Sequence, residues 1–515
     1  MWTNLALPSS AAITNCFDTA ARLTRTALRT SGNVVLNSHD YLYNAAAQRQ
    51  RNTLTDGSYT TYGFDDDAQL TNSLGYTSGG TPVASEQLGF GYDGGWNMTG
   101  RAVNGSPISY TVNDLNEVTS IGGTPCTYDQ NGNRLTYGQG SGTTSYEYDD
   151  ENRLTRITTR NGSPLRSDFT YDGLSRLRIR TEYTWYYNQW SLASTTRYIY
   201  DAKRVIQERN EYNTPLVTYT RGKDLSGSLE GAGGIGGLLA RSHGYSGGAW
   251  STHNFYHADG NGNITHMTDS GQSMVASYKY DPYGRTISSS GSLAAANLYR
   301  FSSKELHANS GLYYYLYRFY DPNTQRWLGR DAFGEVAFER FWPVGNNLFT
   351  FVDNNPVGGI DPLGLWHWYV PWSWPMWEAI WEAIQYVPPE PLSSGAGAVK
   401  CAHGIYQNYV PAVHCSGRPK LARFCSAYPT LCSRVIRRPC FHSAANSASS
   451  RRVRAIVVAR VKSAPSVSDS STPIVSKVAS AAPSKQAACR TSPRVAAASA
   501  TAARQRATSW RRSFS

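Results

Sequence analysis

At 515 residues, 40% hydrophobic and 17% charged, the chain can bury a sizeable core and hold more than one unit. Its net charge of +12 averages two unlike parts: residues 366–515 carry 20 Lys and Arg against 4 acids, and residues 1–365 carry 29 against 33. No run of eighteen apolar residues occurs, which excludes a helical membrane span, and the two isolated cysteines before residue 400, Cys16 and Cys126, do not supply a disulfide framework.

Residues 1–39 read as an N-terminal lead-in. The start, MWTNLALPSSAAITNC, has neither a basic leader nor a continuous apolar stretch, so no signal peptide is expected. From residue 40 to 298 a short phrase recurs about ten times. Its clearest copies are YDQNGNRLTY from Tyr128, YDDENRLTRI from Tyr148, YDGLSRLRIR from Tyr171 and YDPYGRTISS from Tyr280. Looser copies start at Tyr43-Asn44, Phe64-Asp65, Tyr92-Asp93, Val112-Asn113, Tyr200-Asp201 and Tyr256-His257. An irregular period near about twenty residues marks a repeat architecture, in which a unit buries its apolar face by stacking on its neighbours.

Each copy reads as a β-hairpin. Tyr146 and Tyr148 share one strand face, because side chains alternate with period two. Asp-Asp-Glu-Asn then supplies turn chemistry: Asp and Asn side chains bond backbone groups two residues on, and Asn tolerates positive φ. Leu154 and Ile157 return apolar groups. With 35 Tyr, 46 Gly and no sustained helical period before the tail, the fold class is mainly β. The Tyr-Asp hairpins should form a large antiparallel sheet, followed by a poorly ordered basic tail.

Residues 299–365 form a separate module. It opens YRFSSKELHANSGLYYYLYRFYDPNTQRWLGRD from Tyr299 and ends NNLFTFVDNNPVGGIDPLGL from Asn346. Before it lies GKDLSGSLEGAGGIGGLLA from Gly222. The repeats and these three segments resemble the YD repeats, glycine-rich segment and core-associated module of bacterial Rhs proteins, of the C subunits of insecticidal toxin complexes and of the teneurin YD shell. The resemblance covers roughly residues 40–365. It implies a β-ribbon wound into a hollow shell around a C-terminal effector, often a toxin. Shells of that family are longer, so an open or partial shell, or a truncated reading frame, is expected here.

The same resemblance implies self-cleavage just after the DPxGL segment by an Arg and two Asp. The matching residues are Arg318, Asp331 and Asp361, and the scissile bond is Leu365–Trp366. Two close carboxylates share a proton, one form activates water and the other protonates the leaving amine. The chain departs from the family pattern in two places: Ala332 stands where Pro is usual, and Glu335–Phe341 lengthens the spacing to Asp361. Without catalysis, Asp331 and Asp361 would simply cap turns.

Other constellations carry less. Gly231–Gly236 matches GxGxxG by letter, but no apolar strand precedes it and no acid follows in the nucleotide-binding frame, so close backbone packing against the wall is the reading. His257, His266 and Asp259 fall within a degenerate repeat, and the twelfth position of a calcium loop would be Ser270, so neither a metal nor another cofactor is assigned.

Beyond Leu365 the composition changes. Residues 366–442 hold six tryptophans between Trp366 and Trp381, then Cys401, His403, His414, Cys415, Cys425, Cys432 and Cys440 at spacings that match no paired zinc frame. The tryptophan segment reads as an apolar anchor docked inside the shell. Residues 443–515 are Ala-, Ser- and Arg-rich, a composition that does not order itself and that binds nucleic acid nonspecifically.

The favoured function is thus an Rhs-type polymorphic-toxin shell fragment that encapsulates, and self-releases, a C-terminal effector. Its partners would be its own tail as cargo, a larger shell or secretion-machine subunit, and an immunity protein. Localisation would be exported or cell-surface through a larger secretion system. The alternative is a noncatalytic cell-surface repeat protein for adhesion or carbohydrate contact, because exposed Tyr and Trp also stack on sugars; glycan binding without tail release would favour it.

Overall fold

A computed structural model describes residues 3–160, 162–332 and 347–365, with the backbone of Trp368–Tyr369. The expectations for the tryptophan segment, the later Cys/His set and the basic tail, and for Trp366, fall outside those residues.

Twenty-five strands, β1 (Asn4–Ala6) to β25 (Thr286–Ser290), form one sheet. Each pairs antiparallel with the next along the chain, from β1 with β2 (Ala12–Phe17) to β24 (Met274–Tyr280) with β25. The meander therefore begins inside the segment read as a lead-in. The fold is the expected ribbon of antiparallel hairpins.

The turn explains the recurring phrase. Asp149 Oδ1 accepts the Glu151 N–H at 3.1 Å and the Arg153 N–H at 2.9 Å. Its backbone N–H donates to Arg153 O, and Asn152 N–H donates back to Asp149 O. Asn152 takes φ 59°. The register slips by one residue between Glu147 and Tyr148, a β-bulge that adds twist. The same pair of bonds to residues two and four on recurs at Asp65, Asp93, Asn113, Asp129, Asp172, Asp259 and Asp281. Asp18 and Asn210 make it too, two copies that lack a preceding Tyr.

The tyrosine ties one hairpin to the previous one. Tyr148 OH donates to Arg134 O at 3.0 Å, Tyr171 OH to Leu154 O at 2.7 Å, and Tyr280 OH to Ile264 O at 2.7 Å. In each case the acceptor lies five residues after the preceding repeat's Asp. The ring fills the wall and its hydroxyl satisfies a carbonyl at the mouth of the preceding turn.

Two copies differ from the sequence reading. Asp201 pairs with Arg204 across a tighter turn, with Ala202 at φ 50°. At Tyr256-His257 the turn carboxylate is Asp259, two residues later, because His257 is still a strand residue facing the interior.

The ribbon returns on itself. β3 (Leu23–Arg29) and β4 (Val35–Tyr43) meet β22 (Ala249–Ala258) and β23 (Ile264–Asp269) through buried polar bonds. Thr26 and Asn37 bond the two nitrogens of the His257 ring at 3.2 and 2.9 Å, and His39 bonds Thr265 at 3.0 Å. Lys279 pairs with Glu86 at 2.6 Å along the same seam.

Residues 299–332 and 347–365 fill the space this wall partly encloses. Four short strands, β26 (Glu305–His307), β27 (Leu312–Tyr314), β28 (Phe319–Asp321) and β29 (Arg326–Trp327), make a small antiparallel sheet. Its aromatics are almost wholly buried: Tyr315 packs edge-on to Trp327 at 5.1 Å, and Tyr320 stacks on Phe351 at 4.2 Å. Module residues join two apolar cores, one with Tyr146, Ile157, Tyr198 and Tyr256, the other with Leu70, Phe90 and Tyr110. Polar anchors fix the orientation. Arg134 pairs with Asp321 at 2.9 Å, both buried, and Tyr198 OH donates to Glu305 at 2.7 Å. Burying such charges is costly unless each is paired, so these contacts specify one docking of module to wall.

Candidate functional site

The site lies on the module, where the chain after β28 passes the DPLGL segment. Arg318 precedes β28 and projects its guanidinium over the Trp327 ring, 4.1 Å from the centroid. The indole holds the cation in place and shields it from water. Arg318 Nη2 donates to Asp331 Oδ2 at 2.6 Å and lies 3.6 Å from Asp361 Oδ2. One guanidinium nitrogen thus bridges both carboxylates that the sequence named. All three side chains are at most 13% exposed. Arg318 Nη1 donates to Leu348 O at 3.1 Å, and Asp331 N–H donates to the same carbonyl at 3.1 Å.

The other face of the site is the DPLGL backbone. Asp361 Oδ1 accepts the N–H groups of Leu363, Gly364 and Leu365 at 3.1, 2.7 and 3.2 Å. Arg318 Nε donates to Gly364 O. The peptide from Gly364 to Leu365 is therefore held at its oxygen by Arg318 and at its nitrogen by Asp361. Leu365 is the last residue before the bond named from the sequence. Downstream, β31 (Trp368–Tyr369) pairs antiparallel with β30 (Gly359–Ile360). Asp361 does cap a turn, the one that ends at Leu365, and it contacts Arg318 at the same time.

Sequence reasoning missed three contributors. Trp327 supports the arginine. Lys304 Nζ donates to Pro362 O at 2.6 Å and to Gly233 O at 3.0 Å. The third is the glycine-rich segment, which packs on the wall at Arg204 and also lies against DPLGL: a Cβ on Gly233 would come within 1.9 Å of Pro362 O. Lys304 is the one lysine in residues 299–365, a signal that was available. Burial pulls its ammonium down to about 7, against an upward pull from Asp361. The histidines behave differently. His39 and His257 come together at the seam, with ring centroids 6.2 Å apart. Among the described residues no three His, Cys, Asp or Glu side chains are grouped to hold a metal ion.

No family model matches the chain. The crystal structure of TcdB2-TccC3 superimposes with a TM-score of 0.55 over 70% of this chain and 19% of that chain, at 19% identity. The fold is a YD-repeat shell of the Rhs type. Sequence relatives of this YD shell include the tRNA(Glu)-specific nuclease WapA of Bacillus subtilis subsp. natto, 26% identical over 266 residues, which is 51% of this chain and 10% of that protein. The double-stranded DNA deaminase toxin A of Burkholderia cenocepacia is 26% identical over 244 residues, 46% of this chain and 16% of that protein. The chain thus spans less than a fifth of the length of each of these three proteins.

Proposed function

We propose that the YD shell segment carries a C-terminal effector and releases it by cutting its own chain at Leu365–Trp366. One observation carries the cleavage half: Arg318 bridges Asp331 and Asp361 while both Arg318 and Asp361 grip the peptide next to that bond. In this reading one carboxylate is ionised and held by the guanidinium while the other carries a proton, the division of labour of a paired-carboxylate site. The ionised member takes a proton from water, whose oxygen attacks the Leu365 carbonyl carbon. The protonated member gives its proton to the Trp366 nitrogen as the C–N bond breaks. The products are a carboxylate at Leu365 and an amine at Trp366. The substrate is tethered, so proximity takes the place of a binding step.

Named toxins among the relatives support the carrier half, as does the change from −4 to +16 in charge at the same boundary. An export machine, a larger shell subunit and an immunity protein are the partners this reading calls for. The test is electrophoresis of purified wild type beside Asp361→Asn. Wild type should migrate as two pieces and the variant as one chain of 56.7 kDa. Two full-length bands from folded protein would remove the cleavage half.

A further inference from the structure

We propose that Lys304 is a positioning residue of the self-cleavage site: it clamps the Pro362 carbonyl to the Gly233 carbonyl and so fixes the DPLGL strand against Arg318 and the two aspartates. The proposal rests on the cleavage reading above. Its basis is geometric. The Lys304 Nζ bonds join three segments far apart in sequence, the glycine-rich loop, the start of the module and the cleavage segment. Gly236 N–H donates to the Ser303 hydroxyl at 3.1 Å, which docks the loop beside the lysine. The loop itself is shaped by Asp224, whose Oδ2 accepts Ala232 N–H at 2.7 Å and Gly234 N–H at 3.0 Å. Only a residue without Cβ lets the loop approach Pro362 this closely. The glycine-rich segment thus has a role that its GxGxxG letters did not convey: it is the back plate of a clamp.

The clamp is charge-assisted only while the ammonium keeps its proton. The groups facing it are Asp361 and Asp224, which favour the cation, and Arg221, which opposes it, while Tyr315 presents its ring 5.3 Å away. Loss of the proton near pH 7 leaves weaker neutral bonds and a less firmly held strand. Self-cleavage should therefore slow as pH rises through about 7. A residue that only supported the fold would alter the rate equally at every pH.

The experiment is cell-free synthesis of the full chain from about pH 6 to about pH 8.5, following conversion to the 1–365 body over time. Protease resistance of that body reports folding. Wild type should slow above neutrality. Lys304→Met should be slower by about tenfold or more and lose the inflection, because a misplaced strand leaves the near-attack geometry. Lys304→Arg, which keeps its charge, should cleave without the decline. A flat wild-type profile overturns the clamp whatever the variants do. So does a protease-resistant Lys304→Met that cleaves at the wild-type rate. Asp361→Asn in parallel tests the aspartates separately. A folded wild type that stays whole overturns both proposals.

Discussion

Asp149 illustrates how much one side chain does in this chain. It closes its hairpin by accepting two backbone N–H groups and also pairs with Arg153 Nε at 2.7 Å. Asp149→Ala removes these acceptors and should lower the stability of the body by about 1–2 kcal/mol, read from the shift in urea midpoint. Lys304 shows the opposite balance. Its folded value near 7 lies below the ordinary 10.5, so the unfolded chain holds more protons between those values. Stability contributed by this group is lower below pH 7 and recovers as pH rises toward 10.5. Replacing Lys304 with Met should therefore help the fold most below pH 7, and a comparison of thermal midpoints across pH checks this. The aspartate turn was legible because its partners lie two and four residues away. Lys304 was not, because its two acceptors lie 71 and 58 residues away.

At the scale of the hairpin, the tyrosine is the link between units. Tyr171→Phe keeps the ring but removes the bond to Leu154 O. A buried carbonyl then loses its partner, and the cost should be about 1 kcal/mol, again from urea unfolding. The strands themselves followed from period-two patterning and turn residues, both local signals. The misplaced copies have a physical reason. Asp201 closes a tighter turn, and His257 keeps the strand running to Asp259, so an aromatic-polar pair alone does not mark the bend. The turns at Asp18 and Asn210 follow Phe17 and Arg209 rather than a tyrosine, while the hydrogen bonds need only the Asp or Asn. The candidate site was named through the family resemblance, and the arrangement of Arg318, Asp331 and Asp361 about one guanidinium is a tertiary fact that spacing could not supply.

For the wall and its module as one body, the seam between β3–β4 and β22–β23 sets the response to acid. Burial, together with neighbouring His39, holds His257 well below its ordinary value and His266 at about 4. The folded state keeps them neutral while the unfolded chain protonates below about 6.5. Stability is therefore complete above that value and falls as pH drops from there toward 4. The urea midpoint should be lower at about pH 5 than at about pH 7, and His266→Gln should narrow the gap. An unchanged gap would mean other groups dominate the acid response.

In the proposed function, cleavage at the edge of the module releases what the wall carries. Intact mass of the purified full-length product, with sequencing of any released piece, tests it most directly. The account predicts a body ending at Leu365, a second piece beginning at Trp366, and an Asp361→Asn chain recovered whole at 56.7 kDa. A folded wild type of that same single mass, or a released piece beginning elsewhere, would contradict it.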